Sequence, residues 1–253
     1  MEVLADTRIV VWEGASLWLV DASPVETRKT RITDIHAHHA IQIVLGRGGT
    51  FRLSAEVVAI ENQAAAVAPD TPHRFEAEGP VALLFVEPES HWGRAISARL
   101  FARARIAAIA PDPSDPLAAA LRAAPADADL AVAGQAVVKR LASDLRAGSL
   151  PDYRIRKVVA WARQQLERTV SLADAVPVSG LSAGRLRHLF VEETGLPFKT
   201  YLLWLRLTRA VECMTAGATL TAAAHEAGFA DSAHLSRTFR RMFGVAPTNL
   251  RIS

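Results

Sequence analysis

Two groups of side chains in this sequence have the types and the spacing to do chemistry. The first is His36-Ala37-His38, with Gln42 four residues later and His73 behind the turn Pro69-Asp70-Thr71-Pro72. Alternate residues of a strand point to one side, so His36 and His38 can converge while His39 faces away. His73, from a partner strand, would complete a three-histidine set suited to zinc, iron, nickel or copper. Gln42 carries no negative charge and is a poor metal ligand. Three readings of the cluster stay open: a hydrogen-bonded structural group, a metal site acting as sensor or clamp, and direct contact with an organic ligand through side chains that include Gln42.

The second group is a repeat in the last hundred residues. Ser182-Ala183-Gly184-Arg185-Leu186-Arg187-His188-Leu189-Phe190, followed by Gly195, recurs at an offset of 49 as Asp231-Ser232-Ala233-His234-Leu235-Ser236-Arg237-Thr238-Phe239, followed by Gly244, and a proline comes soon after each glycine, Pro197 and Pro247. Ser182 and Asp231 are natural N-caps, since their side-chain oxygens accept from the free amides of a first turn. Leu186 with Phe190, and Leu235 with Phe239, lie four apart and give each helix one buried stripe. Gly195 and Gly244 suit the left-handed residue that ends a helix, and the prolines bar its resumption. A shorter helix precedes each copy, over about 171–176 and 221–227, with turns at 178–180 and at Gly228. A short helix, a tight turn and a longer capped helix make a helix-turn-helix. The face opposite the first buried stripe carries Gly184, Arg187, His188 and Val191. The corresponding face of the second carries Ala233, Ser236, Arg237 and Arg240, with Ser232 at its start.

An exposed arginine-bearing face is what a major groove accepts, because arginine binds guanine O6 and N7 bidentately. The spacing therefore assigns base reading to Gly184, Arg187, His188, Ser232, Ala233, Ser236 and Arg237. Ser182, Arg185, Lys199, His234, Arg240 and Arg241 are placed for phosphates, which hold register without reading sequence. A helix over about 198–216, ended by Gly217, would join the two motifs as a buried connector.

Different elements must position the two groups. From Val3 to about Glu87 short apolar runs alternate with turn signals, which reads as a β-sandwich or small barrel. Trp12, Trp18, Phe51, Phe75 and Phe85 are expected to build its core. After Gly93 the composition turns helical, with helices over 116–123 and 130–146; Val132, Ala136, Lys139, Leu141 and Leu145 form an apolar stripe that packs either on its own domain or on a second subunit. Residues 148–152 read as a linker. The fold class is thus α+β in two domains: 1–147 (strands over 3–90, helices over 93–147) and an all-α tandem helix-turn-helix domain over 153–253.

Charge supports that division. Residues 1–150 hold 15 Lys+Arg against 18 Asp+Glu, while residues 151–253 hold 14 against 8, so the basic half is the one expected to meet a polyanion. No run of eighteen apolar residues occurs, and the first residues alternate like a strand rather than forming a basic-then-apolar leader. A lone Cys213 excludes an internal disulfide. These features fit a soluble chain in a reducing cytoplasm, away from membranes.

The segment from about Arg154 to Arg251 resembles the DNA-binding domain of the AraC/XylS family of bacterial transcription regulators. The resemblance rests on Ala227-Gly228-Phe229-Ala230-Asp231-Ser232-Ala233-His234-Leu235-Ser236-Arg237-Thr238-Phe239-Arg240-Arg241-Met242-Phe243-Gly244-Val245-Ala246-Pro247, and on Tyr201, Arg206-Leu207 and Ala210 in the connector. Leu235 stands where the family usually has an aromatic residue. Gly184 removes a side chain where members often touch a base. The resemblance implies a sequence-specific regulator that binds double-stranded promoter DNA, with RNA polymerase as a partner if it activates. It also implies an N-terminal cupin-like domain that binds a small-molecule or metal effector and helps to form a homodimer. Metal cupins place their ligands in the order of His36, His38 and His73, with glutamate at the place of Gln42. The competing reading is a metal-dependent cupin enzyme with an accessory DNA-binding module.

Overall fold

The computed structural model describes residues 5–22, 31–56, 58–61, 64–110, 117, 126–142 and 150–252. Two compact units divide the chain: Met1–Pro88, Trp92–Gly148 and Phe239–Ser253 form the first, Glu89–His91 and Ser149–Thr238 the second. Among the described residues no helix is long and apolar enough to cross a membrane.

The first unit is built on β1 (Ala5–Trp12), β2 (Ala15–Ala22), β3 (Arg31–Ile32), β4 (Ile41–Gly46), β5 (Thr50–Ala55), β6 (Val58–Glu61), β7 (Ala65–Val67), β8 (Arg74–Val86), β9 (Ile106–Ala108) and β10 (Leu250–Ile252). The order runs β10-β1-β2-β8-β4-β7-β9, with β3 and β5 pairing β8 and β6 pairing β5. The long β8 organises the sheet. Its Gly79–Val86 half lies between β2 and β4, and its first half, from Arg74, pairs β3 and β5. A two-residue alternation would leave one face wet, yet Ile41 to Leu45 are all buried, as expected where a strand is covered on both sides.

One cover is helical. Helices α1 (His91–Leu100) and α2 (Asp127–Ala142) contribute Ala95, Ile96, Leu130, Val137 and Leu141 to a core shared with Leu17, Ile41, Ile43 and Leu84. Each such side chain contributes about 1.5–3 kcal/mol by leaving water. Of the expected α2 stripe Leu141 is buried, Ala136 half-buried and Lys139 exposed, and Leu145 lies outside the described residues. Val132 is 67% exposed, and the buried set is Leu130, Ala133, Gly134, Val137, Val138, Leu141 and Ala142. Gly134 fixes this rotation, because a Cβ there would stand 2.7 Å from the Trp12 ring. Of the helix expected over 116–123, only Leu117 lies within the described residues, and it is fully buried.

The chain's last residues also belong to this unit. Strand β10 pairs in parallel with β1, Ala5 opposite Leu250. Nothing in the local pattern of 250–252 marks a sheet edge as its destination.

The second unit contains α3 (Tyr153–Arg163), α4 (Leu172–Ser179), α5 (Ala183–Thr194), α6 (Phe198–Thr215), α7 (Leu220–Glu226) and the first half of α8 (Ser232–Phe243). Its core joins Ile155, Val158 and Ala162 of α3 to Leu186, Leu189 and Phe190 of α5 and to Tyr201, Leu202 and Leu205 of α6. The α+β class expected from the sequence is the observed one.

Candidate functional site

Each recognition motif is assembled by local chemistry. Asp152 caps α3, and its carboxyl, held by the Arg154 side chain and amide, drops to about 2. Ser171 and Asp174 form a capping box that starts α4. That helix runs through Pro177 to Ser179, further than the expected end near Val176, and Gly180 stops it at φ 66°. Ser182 caps α5 by accepting from the Arg185 amide, and Gly195 closes that helix at φ 79°. In the second copy Thr219 caps α7, and Asp231 accepts from the His234 amide at 2.6 Å.

The two turns differ in what they require. Gly180 and Gly228 both have positive φ, but only Gly228 is packed: a Cβ there would lie 1.9 Å from the Leu166 carbonyl oxygen. Arg206 donates to that carbonyl and to the Arg168 carbonyl, tying connector α6 to the segment after α3.

The buried stripes are as expected. Leu186, Phe190, Leu235 and Phe239 are each 0% exposed. On the opposite faces Gly184, Arg187, His188, Ala233 and Arg237 are exposed, as are Arg185, Lys199 and Arg241, and no atom lies within 4 Å of a Cβ built on Gly184. The offset of 49 places Arg187 opposite Ser236 and His188 opposite Arg237. The two helices therefore carry different side chains at equivalent positions.

Besides Ser182, which caps α5, three residues assigned to DNA are already engaged. Ser236 donates its hydroxyl to the Ser232 carbonyl at 2.8 Å. The His234 ring packs edge-on against Phe229, centroids 5.1 Å apart. Arg240 forms an ion pair with Asp34 at 2.7 Å. The first two are local i,i+4 and turn contacts visible in principle from spacing; the third joins positions 206 residues apart and leaves no local trace.

The histidine cluster lies in the first unit. His36 does not sit in a strand: it makes an isolated antiparallel bridge with His73, and His38 follows in irregular chain. Paired amides and carbonyls of His36 and His73, at 2.9 and 3.0 Å, preserve the alternation that the strand expectation needed. His36, His38 and His73 are buried and bring one ring nitrogen each to within 4.8 Å of the others. His39 points elsewhere, with its ring 3.6 Å from the Asp70 carboxylate.

Hydrogen bonds fix how these rings are oriented. Nδ1–H of His36 donates to the Asp34 carbonyl (2.9 Å), that of His38 to Ala40 (3.0 Å), and that of His73 to Thr71 (2.8 Å). The lone pair of each neutral ring is then on Nε2. Oε1 of Gln42, itself an acceptor, stands 2.9 Å from Nε2 of His38 and 3.3 Å from Nε2 of His73, while its amide nitrogen is buried without a hydrogen-bond partner. A half-turn of the amide presents that nitrogen to the same lone pairs. In either orientation acceptors crowd the centre of the cluster. Burial, reinforced by the neighbouring rings, pushes His36 and His38 down to about 3, and burial lowers His73 too, so all three are neutral near pH 7.

Beside the cluster is a cavity of about 90 Å³ lined by His36 and Gln42 and by apolar groups that include Trp18, Phe75, Phe85 and Phe243. Trp18, Phe75 and Phe85, expected in the core, are buried there and also border the cavity, while Trp12 packs on α2 and Phe51 on Phe75. Phe243, Val245 and Leu250 were not legible as cavity residues, because the sequence presents Gly244 to Pro247 as a helix stop alone.

Comparison with known proteins follows this division. Residues 172–252 match the family model for a helix-turn-helix domain. The transcriptional activator RhaS of Escherichia fergusonii is 33% identical over 116 residues, covering 46% of this chain and 42% of that protein. RhaS of Enterobacter sp. is 33% identical over 101 residues, 40% of this chain and 36% of that one. The chain thus spans less than half the length of these relatives. Among solved structures, ToxT from Vibrio cholerae O395 superposes with a TM-score of 0.59 at 15% identity, over 94% of this chain and 96% of that one. A second ToxT structure, described as bound to an unsaturated fatty acid, gives 0.57 at 13% identity over 92% of each. That likeness is one of fold.

Proposed function

Because residues 172–252 form an AraC-type helix-turn-helix domain, we propose that this protein is a sequence-specific transcription regulator acting on double-stranded promoter DNA. The observation that carries the proposal is the repeated motif: two capped helices, each with an arginine on the face opposite a fully buried Leu/Phe stripe. Arg187, His188 and Arg237 read bases, helped by the small residues Gly184 and Ala233, which let the backbone approach the groove. Arg185, Lys199 and Arg241 hold phosphates, and Arg240 joins them when released from Asp34. Residues 1–147 form a cupin-like effector-sensing and dimerisation domain, and residues 148–152 link it to the DNA-binding domain over 153–253. RNA polymerase is the further partner of an activating complex, the assembly is a homodimer, and the protein works in the bacterial cytoplasm without catalysing a reaction.

The effector is a small molecule or a metal. The apolar cavity and the histidine cluster beside it support this reading, and a ToxT structure with a bound fatty acid offers a precedent in a similar fold. The test is DNA footprinting and gel-shift titration of the full chain on promoter fragments selected from random sequence. Tight, salt-dependent binding to a selected site supports the proposal. Equal affinity for selected and scrambled DNA overturns it.

A further inference from the structure

We propose that His36, His38 and His73 hold a divalent transition-metal ion, zinc foremost, whose remaining coordination position faces the apolar cavity and captures a small anionic effector, a carboxylate on an apolar body. This inference rests on the sensing role proposed above for the first unit.

Four observations carry it. Each ring spends its Nδ1–H on a backbone carbonyl, the arrangement by which proteins orient metal-bound imidazoles and raise the basicity of the other nitrogen. One ring nitrogen of each histidine lies within 4.8 Å of the others, and the Gln42 amide, turned to donate, can serve the two beside it. A cation satisfies all three. Bonds of about 2.0–2.1 Å in a tetrahedral site set ligand nitrogens about 3.3 Å apart. The present spread of up to 4.8 Å would have to shorten to that separation when an ion binds.

The charge balance then selects the fourth ligand. Three neutral imidazoles leave a doubly charged ion uncompensated in a buried site, which is costly unless an anion joins it. Among the described residues no carboxylate belongs to the cluster: Asp34 is paired to Arg240, and Asp70 faces His39. Gln42 occupies the position from which a carboxylate could reach the ion, and it is neutral. The anion must therefore come from outside the chain. His36 and Gln42 both line the cavity, whose other walls are Trp18, Phe75, Phe85 and Phe243, so a ligand at the open position would rest its body on aromatic surface. The chemistry selected is one anionic oxygen donor on a small apolar frame.

The experiment uses the full chain, stripped by chelator and titrated with cobalt(II), then with benzoate and with its neutral isostere benzamide. One equivalent of cobalt with ligand-field bands of a low-coordinate site is expected, with saturable spectral change on adding benzoate and none on adding benzamide. Gln42→Glu supplies the missing carboxylate: it should bind metal more tightly and benzoate at least tenfold more weakly than the parent. His36→Ala/His73→Ala should take up no cobalt while keeping its circular dichroism. Failure of the parent to bind cobalt or zinc overturns the inference, as does benzoate affinity unchanged in Gln42→Glu. Because selected-DNA affinity is measured on the same samples, loss of this inference with retained DNA recognition is distinguishable from failure of the regulator reading itself.

Discussion

Replacing Gly244 by alanine tests whether the end of α8 is seated in the first unit. The repeat supplies its own control, since Gly195 occupies the same place in the first motif. Both have left-handed backbone, φ 79° at Gly195 and 72° at Gly244. An added methyl group at Gly195 meets nothing within 4 Å, so Gly195→Ala should cost only the left-handed conformation, about 1–2 kcal/mol. At Gly244 the same carbon would lie 2.6 Å from Thr33 Cβ, 2.6 Å from His36 Nδ1 and 2.7 Å from the Asp34 carbonyl oxygen. The chain limits that clash by letting go. Release forfeits the Asp34 amide to Gly244 carbonyl bond, about 0.5–1.5 kcal/mol, and much of the Phe243 burial, about 1.5–3 kcal/mol. The expected total for Gly244→Ala is therefore about 3–6 kcal/mol. Hydrogen exchange should show β10 amides losing their protection in this variant alone, and urea unfolding should show the larger loss. Equal destabilisation by both substitutions, with β10 still protected, would refute the packing argument.

Further expectations concern DNA and acid. Arg187→Ala and Arg237→Ala should each cost about 1–3 kcal/mol on the selected site and relax preference at different base pairs, because the equivalent positions in the other motif carry Ser236 and His188; footprints altered at the same base pair by both would contradict this. Arg241→Ala should weaken all sequences alike and reduce the salt slope by about one phosphate contact, read from gel shifts at several salt concentrations. Asp34→Ala should barely alter stability, since its pair with Arg240 is exposed. It should nevertheless tighten DNA binding and steepen the salt slope by freeing Arg240, and weaker binding would sink that idea. For the chelator-stripped protein, the histidines are lowered to about 3 in the folded state against about 6.5 when unfolded. The unfolded chain then takes up protons that the folded chain refuses, so stability should be full above about pH 6.5 and fall as pH drops toward 3. The slope is at most about 1.4 kcal/mol per pH unit for each histidine. Urea midpoints that do not change between pH 7 and 5 would count against neutral, buried rings.

Much of the recognition domain is written in short-range chemistry, which is why its outline was legible. Caps at Ser182 and Asp231, stripes of Leu and Phe four apart, and glycines at the helix ends act within one or two turns, so spacing alone specifies them. The same alternation brought His36 and His38 to one side even though the strand expected there is only an isolated bridge. Other features depend on partners far away in the chain. The face that α2 buries on its own unit is set by Trp12 against Gly134, whereas its sequence left open whether the Val132 stripe packs within the domain or on a second subunit. Trp18, Phe75 and Phe85 could fill a core or line a cavity, and only the packing of β2, β8 and the C-terminal segment leaves space between them. Arg240 reads as one more phosphate ligand until Asp34, 206 residues away, is placed beside it. Sequence by itself determined the helices, their caps and the residue types available for binding, because those depend on neighbours along the chain. Tertiary structure alone decided that the residues after Thr238 join the strand-rich unit and that Phe243, Val245 and Leu250 line its cavity, because long-range packing is specified by complementary surfaces that no local pattern records.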